Sequence, residues 1–316
     1  MNKETISASP EERYAGCLLG LAAGDALGTT VEFSPPGSFA PVTEMTGGGP
    51  FALRPGQWTD DTSMALCLAD SLLECRGWDQ TDQLRRYMRW FREGYLSSTG
   101  VCFDIGNATR SALYRFEVTG EPECGSADPY SAGNGSIMRL APAVMYYAED
   151  GALAAEMAGR SSLTTHGAKE CVDACRLMAC NITAGLKGWS KERILNAGEW
   201  RDWLGGEPLA PAVEDIASGS YAGKQPPEIQ GSGYVVKSLE AALWAFAHSS
   251  DFAEGAFLAV NLGDDADTTA AVYGQIAGAY YGVNGIPEAW REMLAMRELI
   301  EDWALRLYRE RPGAPV

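Results

Sequence analysis

The stretch EERYAGCLLGLAAGDALG, residues 11–28, decides the fold class. Its apolar residues recur at three- and four-residue spacing, the signature of an α-helix. It also carries Gly16, Gly20, Gly24 and Gly28 at intervals of four, which puts all four on one face. Each glycine costs about 1 kcal/mol of helix stability relative to alanine, so a whole stripe requires a compensating gain. The close approach of another helix would supply it, and so would the close approach of a ligand.

The helical period continues outward from this segment. It marks residues 60–76, 79–95, 104–117, 151–162, 168–186, 235–248, 251–261, 267–282 and 287–308, and no convincing period-two strand interrupts it. Glycine- and proline-rich stretches at 34–57, 118–135 and 219–233 read as loops, which in a compact domain often carry function. There is no fixed-period repeat, low-complexity tract or linker between halves. The expectation is an all-α, compact single domain over residues 11–310, preceded by a flexible N-terminus at 1–10, with loops converging on one site.

Composition narrows the function classes. A hydrophobic fraction of 46% and a charged fraction of 21% are those of an ordinary globular chain rather than a disordered one. The net charge of -17 repels phosphate backbones and anionic membrane surfaces, so neither nucleic acid nor membrane is an expected partner. An anionic substrate would need a local reversal of that field, which a bound metal can provide. The eight cysteines form no CxxC pair, and several lie in apolar helical patterns; they read as reduced core thiols and the compartment as cytoplasmic. The N-terminal residues lack the apolar core of a signal peptide.

Two segments carry the chemistry. Gly56-Gln57-Trp58-Thr59-Asp60-Asp61-Thr62 and Gly263-Asp264-Asp265-Ala266-Asp267-Thr268-Thr269 each follow a glycine, open a helix and combine hydroxyls with closely spaced aspartates. Acidic residues in a first helical turn suit the helix dipole and cap its amides. Capping does not call for three carboxylates in four positions, and five together repel one another. Asp and Thr oxygens are ligands for hard cations such as Mg²⁺ or Mn²⁺, and a chain with only two histidines is poorly supplied for zinc. Asp25, on the glycine side of its helix, reads as a structural hydrogen-bonding group. Glu32, just beyond that helix, is a candidate metal ligand or proton carrier, although a solvated loop glutamate is the plainer alternative.

Together these segments resemble the ADP-ribosylglycohydrolase family. The match is carried by GCLLGLAAGDALGTTVEF (16–33), GQWTDDTSMAL (56–66), DIGNAT (104–109), GNGSIMRLAP (133–142), THGAKE (165–170), GSGYVVKSLEAALWAF (231–246) and NLGDDADTTAAVYGQIAGAYYG (261–282). The resemblance implies an orthogonal helical bundle of that family's type, holding two divalent cations, Mg²⁺ or Mn²⁺. By position, Thr59, Asp60, Asp61, Asp265, Asp267 and Thr268 look like the ligands, with Asp267 best placed to bridge. Glu32, Asp61 and Asp267 are the implied catalytic groups. Gly133, Asn134, Gly135 and Ser136 look like a pyrophosphate cradle, His166 like a contact to ADP-ribose, and Tyr234, with Tyr130 behind it, like the aromatic packed on the nucleotide. Gly100 and Asp104 fall where relatives face the distal end of the substrate. Asp264 departs from the pattern, as many relatives carry glycine there, and His248 reads as structural.

The implied activity is removal of ADP-ribose from a modified target, an ADP-ribosylated protein or another ADP-ribose conjugate. The DIGN and SGYVV blocks look closest to the bacterial arginine-type members; a serine linkage or a small-molecule conjugate is the alternative. A non-catalytic ADP-ribose-binding or crystallin-like protein would tolerate loss of metal positions, yet here every one is filled. A metal-dependent phosphoesterase would place its aspartates at strand ends rather than helix starts.

Overall fold

The computed structural model describes residues 8–314. Fifteen α-helices account for the architecture: α1 Pro10–Gly28, α2 Asp60–Cys75, α3 Gln80–Glu93, α4 Asn107–Thr119, α5 Ala141–Tyr147, α6 Gly151–Leu163, α7 Lys169–Leu186, α8 Lys191–Leu195, α9 Ala197–Trp200, α10 Pro211–Ala217, α11 Val235–Ala247, α12 Phe252–Val260, α13 Ala266–Tyr281, α14 Glu288–Met293 and α15 Arg297–Arg309. Among the described residues there is no strand, only three isolated bridges, and no helix long and apolar enough to cross a membrane. Of the segment expected to be flexible, residues 1–7 lie outside the described residues, while Ser9 already caps α1 in a capping box with Glu12, and Pro10 is its first residue.

Helix α1 is buried from Arg13 to Gly28, and its glycine face meets α13. A Cβ added at Gly16, Gly20 or Gly24 would collide with the carbonyl oxygen of Gly278, Gly274 or Ala270, and one at Gly28 with the backbone of Asp267. The pairing runs antiparallel, and α13 returns it: a Cβ on Gly274 or Gly278 would strike the carbonyl of Gly20 or Gly16. Of the two readings of the stripe, the structure shows helix packing, backbone against backbone. At the far end, buried Arg13 donates to the carbonyls of Gly185 on α7 (3.3 Å) and Ala279 on α13 (3.1 Å), satisfying C-terminal acceptors of both.

Differences from the sequence reading lie where side-chain period is a weak guide. Helices α8, α9 and α10 are too short to show one. The helix expected at 287–308 is broken between α14 and α15, because Ala295 N–H donates to Gly56 (2.9 Å), its carbonyl accepts from Trp58 Nε1 (3.1 Å), and Met296 takes a φ of 53°. The helix expected from residue 104 starts at Asn107, leaving Asp104 outside it with a φ of 59°. All eight cysteines are free, and six are buried.

Substitution Gly24→Ala should lower stability by about 3 kcal/mol, since the clash is with backbone that cannot move without separating α1 from α13. Gly223→Ala, where an added Cβ meets nothing within 4 Å, is the control and should be nearly neutral. Thermal denaturation followed by circular dichroism checks both; equal melting temperatures for the two variants would contradict the packing argument.

Candidate metal centre and cleft

The antiparallel pairing sets the C-terminal end of α1 against the first turn of α13, and α2 is attached there by one side chain. Asp25, fully buried, accepts from Thr59 N–H (2.8 Å) and Thr59 Oγ1 (3.0 Å) through one oxygen, and from Thr62 N–H (3.0 Å) and Thr62 Oγ1 (2.6 Å) through the other. Thr59, the N-cap of α2, makes no capping bond of its own, so a carboxylate from α1 does that work. Asp25 is therefore the structural group that the sequence suggested.

Beyond this junction, Thr59 Oγ1 lies 3.3 Å from both Asp61 Oδ2 and Asp267 Oδ2, and Thr268 Oγ1 lies 3.3 Å from Asp61 Oδ2. The two aspartate segments, more than 200 residues apart in the chain, thus form one cluster. Glu32, Asp104 and Asp267 each bring a carboxylate oxygen within 4.8 Å of the others. Asp104 was expected at the distal end of the substrate; its position beside Glu32 follows from the left-handed turn that precedes α4. Asp265 Oδ2 accepts from Asn134 Nδ2 at 2.9 Å. Asp264 directs its side chain to solvent and works through its backbone: its carbonyl accepts from Phe33 N–H (2.7 Å) and its N–H donates to Ser34 (2.8 Å), tying the chain after α1 to the chain before α13.

Among the described residues no Lys or Arg forms an ion pair with any of these carboxyls. Glu32 Oε2, Asp61 Oδ1 and Asp267 Oδ1 are buried with no hydrogen-bond partner. Burial, followed by mutual repulsion, raises Asp60, Asp61 and Asp267 well above the usual carboxylate range and pushes Glu32 up to about 10 and Asp104 up to about 7. Burial raises Asp25 to about 6 against the opposing pull of its hydrogen bonds. Orphaned buried oxygens and uncompensated negative charge are what a bound hard cation would correct, and the donors are all oxygen.

The cluster floors a cleft of about 620 Å³ that is also lined by Gly133, Asn134, Gly135, His166, Gly233 and the first turn of α4. The loops at 118–135 and 219–233 meet here: Gly133 and Tyr234 form a bridge, and Asn134 N–H donates to Gly233 at 3.0 Å. His166 packs against the loop so closely that a Cβ on Gly135 would lie 2.7 Å from its ring. Burial pushes His166 down to about 3, with Arg139 adding to it, so the imidazole is neutral. Buried Arg139 donates to Thr165 Oγ1 (2.7 Å), and that hydroxyl lies 2.8 Å from His166 Nδ1. Thr165 thus links the buried guanidinium to the imidazole and holds the ring against the glycine-rich turn.

Other expected residues sit elsewhere. Ser136 is fully buried behind the lining, accepting from Ser162 Oγ at 3.0 Å. Gly100 is an exposed turn glycine outside the lining. Tyr234 and the fully exposed Tyr130 flank an adjoining cavity that shares Gly133 and Gly233, with Tyr234 Oη donating to Glu170 at 2.8 Å. His248 Nδ1 donates to Trp244 O, 2.9 Å away, as befits a structural residue. The sequence reading passed over Arg139, Thr165 and the ring-bearing Phe33, Phe51 and Phe103, the last three of which line the cleft. Arg139 lay inside the quoted GNGSIMRLAP block, and its position in an apolar run was the available signal.

Comparison with known proteins shows the family to which the chain belongs. The model of the family described as ADP-ribosylglycohydrolase matches residues 6–315. The chain is 42% identical to the ADP-ribosylarginine hydrolase Tri1 of Pseudomonas putida, spanning 99% of this chain and 83% of that protein. It is 33% identical to the ADP-ribosyl-[dinitrogen reductase] glycohydrolase of Rhodospirillum rubrum, over 92% of each. A solved structure titled ADP-ribosylglycohydrolase-related protein complex superposes with a TM-score of 0.85 at 48% identity, covering 96% of this chain and 99% of that one. This chain belongs to the ADP-ribosylglycohydrolase family, and it is an enzyme of that class.

The raised carboxyls make stability depend on pH. A carboxyl whose folded pKa is raised holds its proton more tightly folded than unfolded, so its contribution is present below about pH 4 and declines as pH rises toward the folded value. With folded values of about 6, 7 and 10 for Asp25, Asp104 and Glu32, the cation-free protein should lose melting temperature between pH 5 and 9. Mg²⁺ or Mn²⁺ should restore it, most at the alkaline end. Thermal denaturation in EDTA and after cation addition measures this; a rising melting temperature in EDTA, indifferent to cation, would refute the cluster as a cation site.

Proposed function

We propose that this enzyme hydrolyses the N-glycosidic bond of ADP-ribosyl-arginine on a modified protein, releasing ADP-ribose, with divalent cations bound at the acidic cluster. The observation carrying the reading is the set of orphaned, uncompensated carboxylate oxygens on the floor of a cleft whose opposite wall is a glycine-rich loop and a neutral histidine. The arginine linkage is supported by two relatives named ADP-ribosylarginine hydrolase Tri1, from Pseudomonas putida and Serratia proteamaculans, at 42% and 41% identity.

Thr59, Asp60, Asp61, Asp265, Asp267 and Thr268 are the proposed ligands for two ions, Mg²⁺ or Mn²⁺, with Asp104 an added candidate from its place beside Asp267. Such ions would supply Lewis acidity and anchor the ribose hydroxyls. The Gly135 N–H, which no group among the described residues accepts, and the neutral His166 ring beside it suit the diphosphate, and Tyr234 with Tyr130 flanks the cavity proposed for the nucleobase. Glu32 stands at the reacting end with Oε2 unpaired; bound cations would offset the burial and repulsion that make it hold its proton, leaving a carboxylate to accept a proton from the attacking water. In the balanced reaction the anomeric C–N bond breaks, a C–O bond to water forms, and one water proton ends on the departing guanidino nitrogen. Holding the substrate in this geometry accounts for several kcal/mol of the barrier, about 7 at the low end for well-oriented groups.

Release of ADP-ribose from an ADP-ribosyl-arginine peptide, measured with Mg²⁺, Mn²⁺ or EDTA, tests the reading. Cation-dependent release is expected from this peptide and not from an ADP-ribosyl-serine peptide. Asp61→Ala and Asp267→Ala should each lose at least about 100-fold in kcat/KM, and Glu32→Gln about 100-fold in kcat with little change in KM. Full activity of both aspartate variants would remove the metal-centred scheme. Release from the serine peptide alone would replace the arginine linkage.

A further inference from the structure

Three phenylalanines at the mouth of the cleft take no part in the scheme above. Phe33 and Phe51 meet edge to face with centroids 6.4 Å apart and planes at 74°, and Phe51 meets Phe103 at 5.1 Å and 61°. All three line the same cleft as Glu32, Asp60 and Asp104. Phe33 is 65% exposed, an unfavourable position for a large apolar ring with nothing against its outer side. Its backbone sits at a φ of 60°, which is rare for a residue with a Cβ, and is held there by the bond from its N–H to Asp264 O. Asp104, the chain neighbour of Phe103, sits at a φ of 59°. Twice, then, a strained backbone sets an aromatic ring directly beside a cleft carboxyl: Glu32 with Phe33, and Phe103 with Asp104.

Aromatic faces interleaved with carboxyls select a cation, and a planar guanidinium stacks on such faces better than any other side-chain cation. We propose that the Phe33–Phe51–Phe103 rim receives the guanidinium-bearing side chain of the ADP-ribosylated arginine and sets the preference for that linkage. The proposal rests on the reading of ADP-ribosyl-arginine as substrate and adds the residues that recognise the leaving side. A serine linkage offers neither the charge nor the plane, so the rim would give it nothing.

The test compares wild type, Phe33→Leu, Phe33→Tyr and Phe103→Leu on the ADP-ribosyl-arginine peptide, with free ADP-ribose as competitive inhibitor. Leucine keeps the apolar bulk and removes the π face, so folding is preserved, with melting temperature as the check. The leucine variants should lose about 10-fold in kcat/KM, chiefly through KM, as expected for one cation–π contact of about 1.4 kcal/mol. Inhibition by ADP-ribose, which carries no guanidinium, should not change, and Phe33→Tyr should retain wild-type activity. Unaltered kinetics in both leucine variants would overturn the rim while leaving the arginine reading intact. Equal weakening of ADP-ribose inhibition would also overturn it, by assigning the rings to the nucleotide. A wild type inactive on the arginine peptide would overturn both.

Discussion

Everything in this molecule hangs on the contact between α1 and α13. Glycine on one helix faces backbone on the other from Gly16 through Gly20 and Gly24 to Gly28, so no side chain separates the two backbones there. That closeness offsets the intrinsic penalty of four glycines in a helix. Because the pairing is antiparallel, it brings the C-terminal end of α1, with Asp25 and then Glu32, onto the N-terminal turn of α13, with Asp265, Asp267 and Thr268. Asp25 draws in the start of α2, and Gln275 on α13 donates to Ile137 (3.1 Å) and Met138 (2.7 Å) while accepting from Ala141 N–H (2.8 Å). One helix pair thus positions the acidic floor and the segment that follows the glycine-rich wall.

The same rigidity explains how so much like charge is gathered in one place. Helix starts tolerate carboxylates through the dipole and the free amides of the first turn, and two such starts face each other here. Their tolerance is not enough for the whole set: three carboxylate oxygens remain buried and unpaired, and the groups are driven toward their protonated forms. A scaffold held by backbone contact cannot relax to relieve that repulsion. Positive charge from outside the chain would relieve it, as the proposed cations would supply.

The cleft has two chemically distinct ends. One is uncharged, formed by the Gly133–Gly135 turn and by His166, which Thr165 links to buried Arg139. The other is acidic and aromatic, where Glu32 and Asp104 adjoin the phenylalanine rim. The proposed substrate, with a diphosphate at one end and a cationic leaving side at the other, matches that polarity.

Much of this was legible in the chain before folding. The helical period, the glycine stripe, the two aspartate segments at helix starts and the role of Asp25 all follow from local spacing, because a helix fixes which side chains share a face. Broken helices escaped the reading: α14 and α15 separate because Gly56 and Trp58, some 240 positions earlier, compete for the backbone at Ala295. The place of Asp104 beside Glu32 and the three phenylalanines escaped as well, since a left-handed φ at an aspartate or a phenylalanine has no reliable sequence mark and rings from two separate inter-helix segments have no common period. Local pattern settles which residues a helix can present together. Only tertiary packing decides which loops meet, and that choice here was made by backbone contact between α1 and α13.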